Sequence, residues 1–500
     1  QISDTKFAKG IDSLGAFLRF KGLGGSIIIP LTAYLTGKTK QTVERWVGQY
    51  INKDSFERGS KAYHENFSKA MRETGNLHSK SEMNVKGEYW QAFELESRLY
   101  GSKYGKFARL LSRSHMILFG AANYPIYGKN MYNVLHDFRV VNGQIMKFTD
   151  FKRARQTENL DISQQAIQAE WATVEKTVND LHSVNDNGQV VWDKVQLKSL
   201  VGQNMTDEEL DDYILKLSDD VRIQIKNLNI RADMQLSHED KVAANRHYLL
   251  NFLMAFKGYL IPLYEERMKE TKYNIQSRQV EGGSYSGIYE LGRDIIKAWD
   301  ANGGSFMQAF KSQWDGDYTE ARERIEILKA NNSRTSEQDL ELKTLTEELV
   351  RDMEFVELRH SNMKRLAIDF LVVNGLIAIM MLVRGFADDD KDNYSLQMAH
   401  MLSQRLTNEV NSANLNIVSN YYDVVEAPLS GFRILTDVAK LPKAWEKGET
   451  LHQIGKSWIP FYNSIQQMVN PAKAADSMRY YSEVEGNDYM LSPIYHLMNK

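Results

Sequence analysis

The sequence predicts an all-α chain: an elongated multi-helix assembly with one or two short β-hairpins and no parallel sheet. Three observations carry that expectation. Apolar residues recur at three- and four-residue steps through most of the chain, the period of a helix with one buried face. Only 8 prolines occur in 500 residues, which leaves room for long uninterrupted helices. Nowhere do short apolar strands alternate with helical segments, as a parallel sheet requires.

Taken in order, residues 2–20 read as an amphipathic helix with Phe7, Ile11, Leu14, Phe17 and Leu18 on one side. Gly22-Leu23-Gly24-Gly25-Ser26 breaks it, and the apolar run Ile27-Ile28-Ile29-Pro30-Leu31 follows. These glycines lack the Gly-Lys-Ser/Thr ending of a phosphate loop, so they read as a flexible joint. Residues 88–119 form a helix rich in Tyr, Phe, Lys and Arg, and 115–127 a small apolar run containing glycine. Asn142-Gly143, flanked by alternating residues, is the strongest local signal for a tight hairpin. Asn185-Asp186-Asn187-Gly188 repeats the device more loosely. Thr206 with Glu209 three residues on is a capping box; Leu210, Tyr213, Ile214, Leu217 and Val221 continue an apolar helix face. Ser237-His238-Glu239-Asp240 caps the next helix, while 281–287 and 302–305 read as glycine-rich loops. Residues 394–411 and 418–447 are amphipathic, the second interrupted at Pro428 and Pro442. Residues 458–462 and 469–471 are turns between short helices.

The segment 335–393 stands apart. Thr335-Ser336 followed by Glu337, Gln338 and Asp339 is N-cap chemistry with acid in the first turn. Leu342, Leu345, Leu349, Met353 and Val356 mark one buried face, and from Phe370 to Val383 the sequence turns apolar on every side. Such a helix is either the centre of a large core or a piece that enters a bilayer. The run is shorter than the ~20 residues that span a membrane, with Asp369 at its mouth, which favours the core.

Length exceeds what one core fills, and four regions follow: a basic helical region with Gly-rich joints (1–155), an acidic helical region (156–334), the long central helix with its apolar end (335–393), and a C-terminal short-helix region (394–500). Residues 1–155 carry 25 Lys/Arg against 13 Asp/Glu, and residues 156–393 carry 28 against 42, so a net charge of −3 hides a basic third joined to an acidic centre. Either the basic third meets an anionic partner such as nucleic acid or lipid headgroups, or it rests on the acidic centre or on an acidic neighbour chain.

Catalytic and metal chemistry finds little footing. The absence of cysteine removes disulfides, thiolate metal sites and thiol nucleophiles. Eleven histidines include no His-Glu-x-x-His. Asp388-Asp389-Asp390-Lys391-Asp392-Asn393 superficially resembles a calcium loop, but Asn393 and Ala399 stand where glycine and glutamate are required. A charged stop after the apolar helix explains it. No Walker, dinucleotide or nucleophile-elbow pattern occurs, so no catalytic residue and no cofactor is expected. The sequence opens at Gln1 without a signal-peptide pattern, and a piece of a longer polypeptide is expected.

The order of features is familiar. Residues 132–143 (Tyr132-Asn133-Val134-Leu135-His136-Asp137-Phe138-Arg139-Val140-Val141-Asn142-Gly143), the pairing of Asn227–Asp233 with Asp240–Phe252, and the ending Ala387-Asp388-Asp389-Asp390, Arg405–Glu409, Trp458–Tyr462 and Asn470-Pro471 resemble the very large virion proteins of crAss-like and related Bacteroidetes-infecting short-tailed phages. The resemblance spans roughly 130–480 and is one of order and texture. It implies a non-enzymatic cargo protein carried in capsid or tail and ejected into the host with the genome, helping DNA cross the envelope. It also implies partners among tail, portal or sister cargo chains in an oligomer or multi-copy arrangement and the host membrane after ejection, while nucleic acid is expected through residues 1–155 from their charge alone. Other members are virion-packaged RNA polymerases, so a scaffold fragment of such an enzyme is the alternative, although no Asp-x-Asp-Gly-Asp motif is present. A structural tail or portal-ring component is a third. The contact residues expected for membrane or partner are Ile27, Ile28, Ile29, Leu31, Phe370, Leu371, Val372, Leu376, Ile377, Ile379, Met380 and Leu382.

Overall fold

A computed structural model describes residues 28–80, 122–185, 190–201, 205–233, 267–274, 278–301, 305–316, 318–331, 333–389 and 393–414, with 446, 469 and 470. The expectations for 2–20, Gly22–Ile27, 88–119, 237–262, 418–447 and 458–462 lie outside these residues, apart from position 446. Helix makes up 79% of what is described, and strands occur there only as three two-stranded antiparallel hairpins. The chain is all-α.

Helix α1 (Ile28–Val47) accommodates Pro30 in its first turn, where a missing N–H costs nothing. Asn52 caps α2 (Lys53–Glu65) by accepting from the Asp54 amide at 2.9 Å. Helix α3 (Phe67–Lys80) follows, and α4 occupies residues 122–137. Strands β1 (Phe138–Val141) and β2 (Gln144–Lys147) pair across Asn142 and Gly143. Both turn residues have positive φ, +49° and +77°, the requirement that makes Asn-Gly so strong a hairpin signal. Next come α5 (Phe148–Glu158) and α6 (Gln164–Thr173). The second expected hairpin forms from β3 (His182–Val184) and β4 (Val190–Trp192), followed by α7 (Lys194–Val201).

Helix α8 (Asp207–Asp233) opens on the capping box: Thr206 N–H donates to Glu209 Oε2 at 2.8 Å, and Glu209 N–H returns to Thr206 Oγ1 at 3.3 Å. A third hairpin, β5 (Lys272–Asn274) with β6 (Gln279–Glu281), was not expected from the sequence. Its strands are three residues long and carry no clean alternation. Helices α9 (Ser284–Ala301), α10 (Phe306–Asp315) and α11 (Thr319–Ala330) lead to α12 (Ser336–Asp389), and α13 (Tyr394–Asn414) folds back along it. The stretch 281–287 is therefore not a loose loop. A Cβ at Gly283 would lie 2.2 Å from the Arg267 carbonyl oxygen, and one at Gly282 2.6 Å from Thr271 Oγ1. These glycines permit tight packing rather than serving as a flexible joint.

The largest core gathers α2, α4, the first two hairpins, α7 and α8 around Phe56, Tyr63, Leu135, Phe138, Leu197 and Val221. A Cβ at Gly59 would sit 2.5 Å from Asn133 Cα, so α2 and α4 touch backbone to backbone there. The charge asymmetry has a structural outlet. Arg153 holds Glu354 through two bonds of 2.8 and 3.0 Å, Lys152 meets Glu357, and Arg155 meets Glu170 at 2.9 Å. Part of the basic third rests on the acidic centre.

Candidate functional site

Helix α12 is the spine on which a candidate site is built. Thr335 and Gln338 cap it reciprocally, at 3.1 and 3.3 Å. Its first half buries Leu349 and Val350 against Leu160 and Ile325. In the second half the expected contact residues divide between two faces. Ile377 and Met380 are buried at 4% and 9% exposure, and α13, which packs along this helix, buries Met401 fully. Phe370, Leu371, Ile379 and Leu382 face outward at 45–65%, joined by Phe386. Val372 is half-buried. The Leu376 side chain lies outside the described residues, as do those of Ile28 and Ile29, while Ile27 is outside altogether. Leu31, on α1, is 37% exposed.

An 18-residue window of this helix has mean hydropathy 2.5 with only 25% of it buried, long and apolar enough to cross a membrane by length and composition. The shortfall inferred from the Phe370–Val383 run is thus corrected: the helix continues through the Asp369 boundary, and residues before Phe370 extend the low-charge stretch.

Before the apolar run the inner face is polar. Asn362, Arg365 and Asp369 are buried on α12, and Gln397, His400 and Gln404 on α13; both sets follow the i, i+3, i+7 spacing of one helix face. The end of α1 closes this seam. Arg365 donates to Gln49 Oε1 at 3.1 Å and lies 3.6 Å from Glu44, while Gln49 donates to Asn362 at 3.0 Å. Glu44 Oε1 accepts from the amides of Tyr50 and Ile51 at 2.6 and 3.3 Å. Burial pushes the Glu44 carboxyl upward, opposed first by Arg365 and then by those amides. Arg231 stacks 3.6 Å from the Tyr50 ring centre.

A second feature is a cleft of about 410 Å³ between the turn after α1, α5, α6, β6 and α12. Several of its charges are already spent on one another: Lys152 and Gln164 both meet Glu357, and Arg153 meets Glu354. Burial pushes Lys152 down to about 8, with Glu354 opposing. At its floor Asp137 is fully enclosed and pushed up to about 7 by burial, against a bond from the Ser55 hydroxyl. No nucleophile in this cleft is paired with a base. Among the described residues no group of three His, Asp or Glu is placed to hold a metal.

No protein-family model, curated protein or solved structure matches this chain. Its function is therefore argued from geometry and from the order of features in the sequence. The apolar run was legible, but not which of its residues face outward. The inner seam was missed because its polar residues are spread over three helices, although the 397, 400, 404 spacing was a signal. The acidic cluster ends α12 with Asp388 and Asp389 as its last residues.

Proposed function

We propose that this chain is a virion protein of a short-tailed phage, carried in capsid or tail and ejected with the genome, whose α12–α13 hairpin enters the bilayer of the host envelope. One observation carries the reading: an apolar stretch of α12, long enough by length and composition to cross a membrane, has only 25% of it buried, and buried polar residues at its foot, Asn362 and Arg365, are bonded to Gln49. An exposed apolar face of this extent marks an interaction surface. The mostly helical fold supports it too, because local contacts favour fast refolding after passage through a narrow conduit.

The test has two arms. Cryo-electron microscopy of intact particles is expected to place the chain inside the capsid or tail lumen, its α12 face covered by neighbouring chains. Purified protein released from that packing is expected to bind liposomes, and more tightly when anionic lipid is present. Location on the outer tail wall, or absence from particles, overturns the ejection reading. Indifference to lipid overturns the role of α12.

A further inference from the structure

We infer that the cleft between the turn after α1, α5, α6, β6 and α12 binds a single nucleoside monophosphate unit, with its base against Trp46 and its phosphate at Lys53 and Lys364. This site uses α12 before its apolar run and is separate from the bilayer role. One wall is the α12 face carrying Glu354, Glu357, Ser361 and Lys364, which follow the i, i+3, i+7, i+10 spacing of a single helix face. At about 410 Å³ the cleft lies within the range of small-molecule sites, roughly 300–1,000 Å³.

Its groups divide into those already occupied and those left open. Lys152 and Gln164 both meet Glu357, Arg153 holds Glu354, and Arg45 meets Glu57 at 3.3 Å. What remains is two cations and an indole. Lys53 and Lys364 are exposed, with no ion-pair or hydrogen-bond partner among the described residues. Trp46 is 51% exposed and meets no ring, cation or hydrogen-bond partner there either. An open indole is a stacking platform for a base. The lining carries five Lys and Arg against three Asp and Glu, so the cleft favours an anion.

The open groups lie toward one end. The Arg45–Glu57 pair brings the end of α1 onto the start of α2, which puts Trp46 and Lys53 at the same corner. Gln49, in the turn between them, bonds Asn362, two residues before Lys364. Glu357 and Glu354 lie seven and ten residues before Lys364, about 10 and 15 Å back along α12. An anion held by the lysines therefore stays clear of both carboxylates. The amino end of α2 opens onto the cleft at Asn52 and Lys53, and its dipole adds to the attraction. At the floor Asp137, 2% exposed, lines the cleft with an Oδ1 that no group in the protein bonds. A ribose hydroxyl or a base N–H would satisfy it.

Isothermal titration calorimetry on the full chain tests this with adenosine and cytidine monophosphates, their nucleosides, inorganic phosphate, and a short single strand bearing either a 5′-phosphate or a 5′-hydroxyl. Each monophosphate is expected to bind on the order of ten-fold more tightly than its nucleoside or inorganic phosphate. W46A is expected to weaken monophosphate binding on the order of ten-fold and to leave phosphate binding unchanged. K53Q with K364Q is expected to weaken both on the order of ten-fold. All three positions are exposed, so the urea midpoint stays near that of the parent. If the 5′-phosphorylated strand binds more tightly than the free monophosphates and the 5′-hydroxyl strand, the unit is a strand end; if the monophosphates bind more tightly than either strand, it is a free nucleotide. Strands that bind equally well whichever end they carry overturn the inference, because a backbone and not a terminal unit is then being held. So does inorganic phosphate binding as tightly as the monophosphates, or no binding of any nucleotide, or an affinity that W46A leaves untouched.

Discussion

The outward face of α12 permits a quantitative test of what it is for. Leu371, Ile379 and Leu382 are 65%, 53% and 65% exposed, so none contributes much to the folded chain in water. Full transfer of such a side chain out of water is worth roughly 2 kcal/mol. Counting only the open part, each offers about 1–1.3 kcal/mol on entering lipid, and the three together about 3.5 kcal/mol. Replacing all three with Gln, which keeps helix propensity, is therefore expected to weaken vesicle partitioning about 300-fold. Surface substitutions of this kind change stability by about 0.5 kcal/mol or less each, so the urea midpoint in buffer stays close to that of the parent chain.

Ile377→Ala is the matched control. That side chain is 4% exposed, so its truncation is expected to cost about 2–4 kcal/mol of stability while leaving the outward surface intact. Flotation on a density gradient measures the first effect and urea denaturation the second. Vesicle binding of the triple Gln variant within three-fold of the parent refutes the reasoning. So does a large loss of its stability in buffer, which means that the face is already buried against protein.

Two further expectations concern the buried polar cluster beneath the cleft. Asp137 ionises near 3.8 when unfolded and about 7 when folded. Its contribution to stability is thus fully present below about pH 4 and is lost as pH rises toward 7, a difference of about 4 kcal/mol. Asp137→Asn removes that titration, so the variant should gain on the parent steadily between pH 4 and 7.5 in urea denaturation; a difference independent of pH counts against a neutral buried carboxyl. Arg139, wholly buried, donates to Asp54 at 2.6 Å, to Ser55, and to the carbonyls of His136, Trp171 and Val174. Arg139→Met strands those acceptors and should cost about 3–5 kcal/mol. Arg139→Lys should recover little of it, because one ammonium cannot replace a planar fork; recovery to parental stability sinks that account.

What the sequence disclosed follows from how local each signal is. The Asn142-Gly143 hairpin and the Thr206 and Thr335 capping boxes need only residues three or four apart, and all formed where the pattern placed them. The Lys272–Glu281 hairpin has three-residue strands and Arg278 at positive φ, with no Gly or Asn to announce its turn. The candidate site was half legible for a related reason. Where every position from Phe370 to Val383 is apolar, periodicity carries no information about which side meets α13. That choice is made by Asn362, Arg365 and Asp369 before the run, and by Gln397, His400 and Gln404 on the returning helix. These polar residues orient the hairpin because buried polar groups require partners, as Asn362 finds in Gln49 and the Gly283 carbonyl and Arg365 in Gln49 and Glu44. Once they face inward, the apolar remainder faces out by helix geometry alone. The exposed face is then a consequence of the polar seam, and polar substitutions in the seam would turn the hairpin before they altered its hydrophobicity.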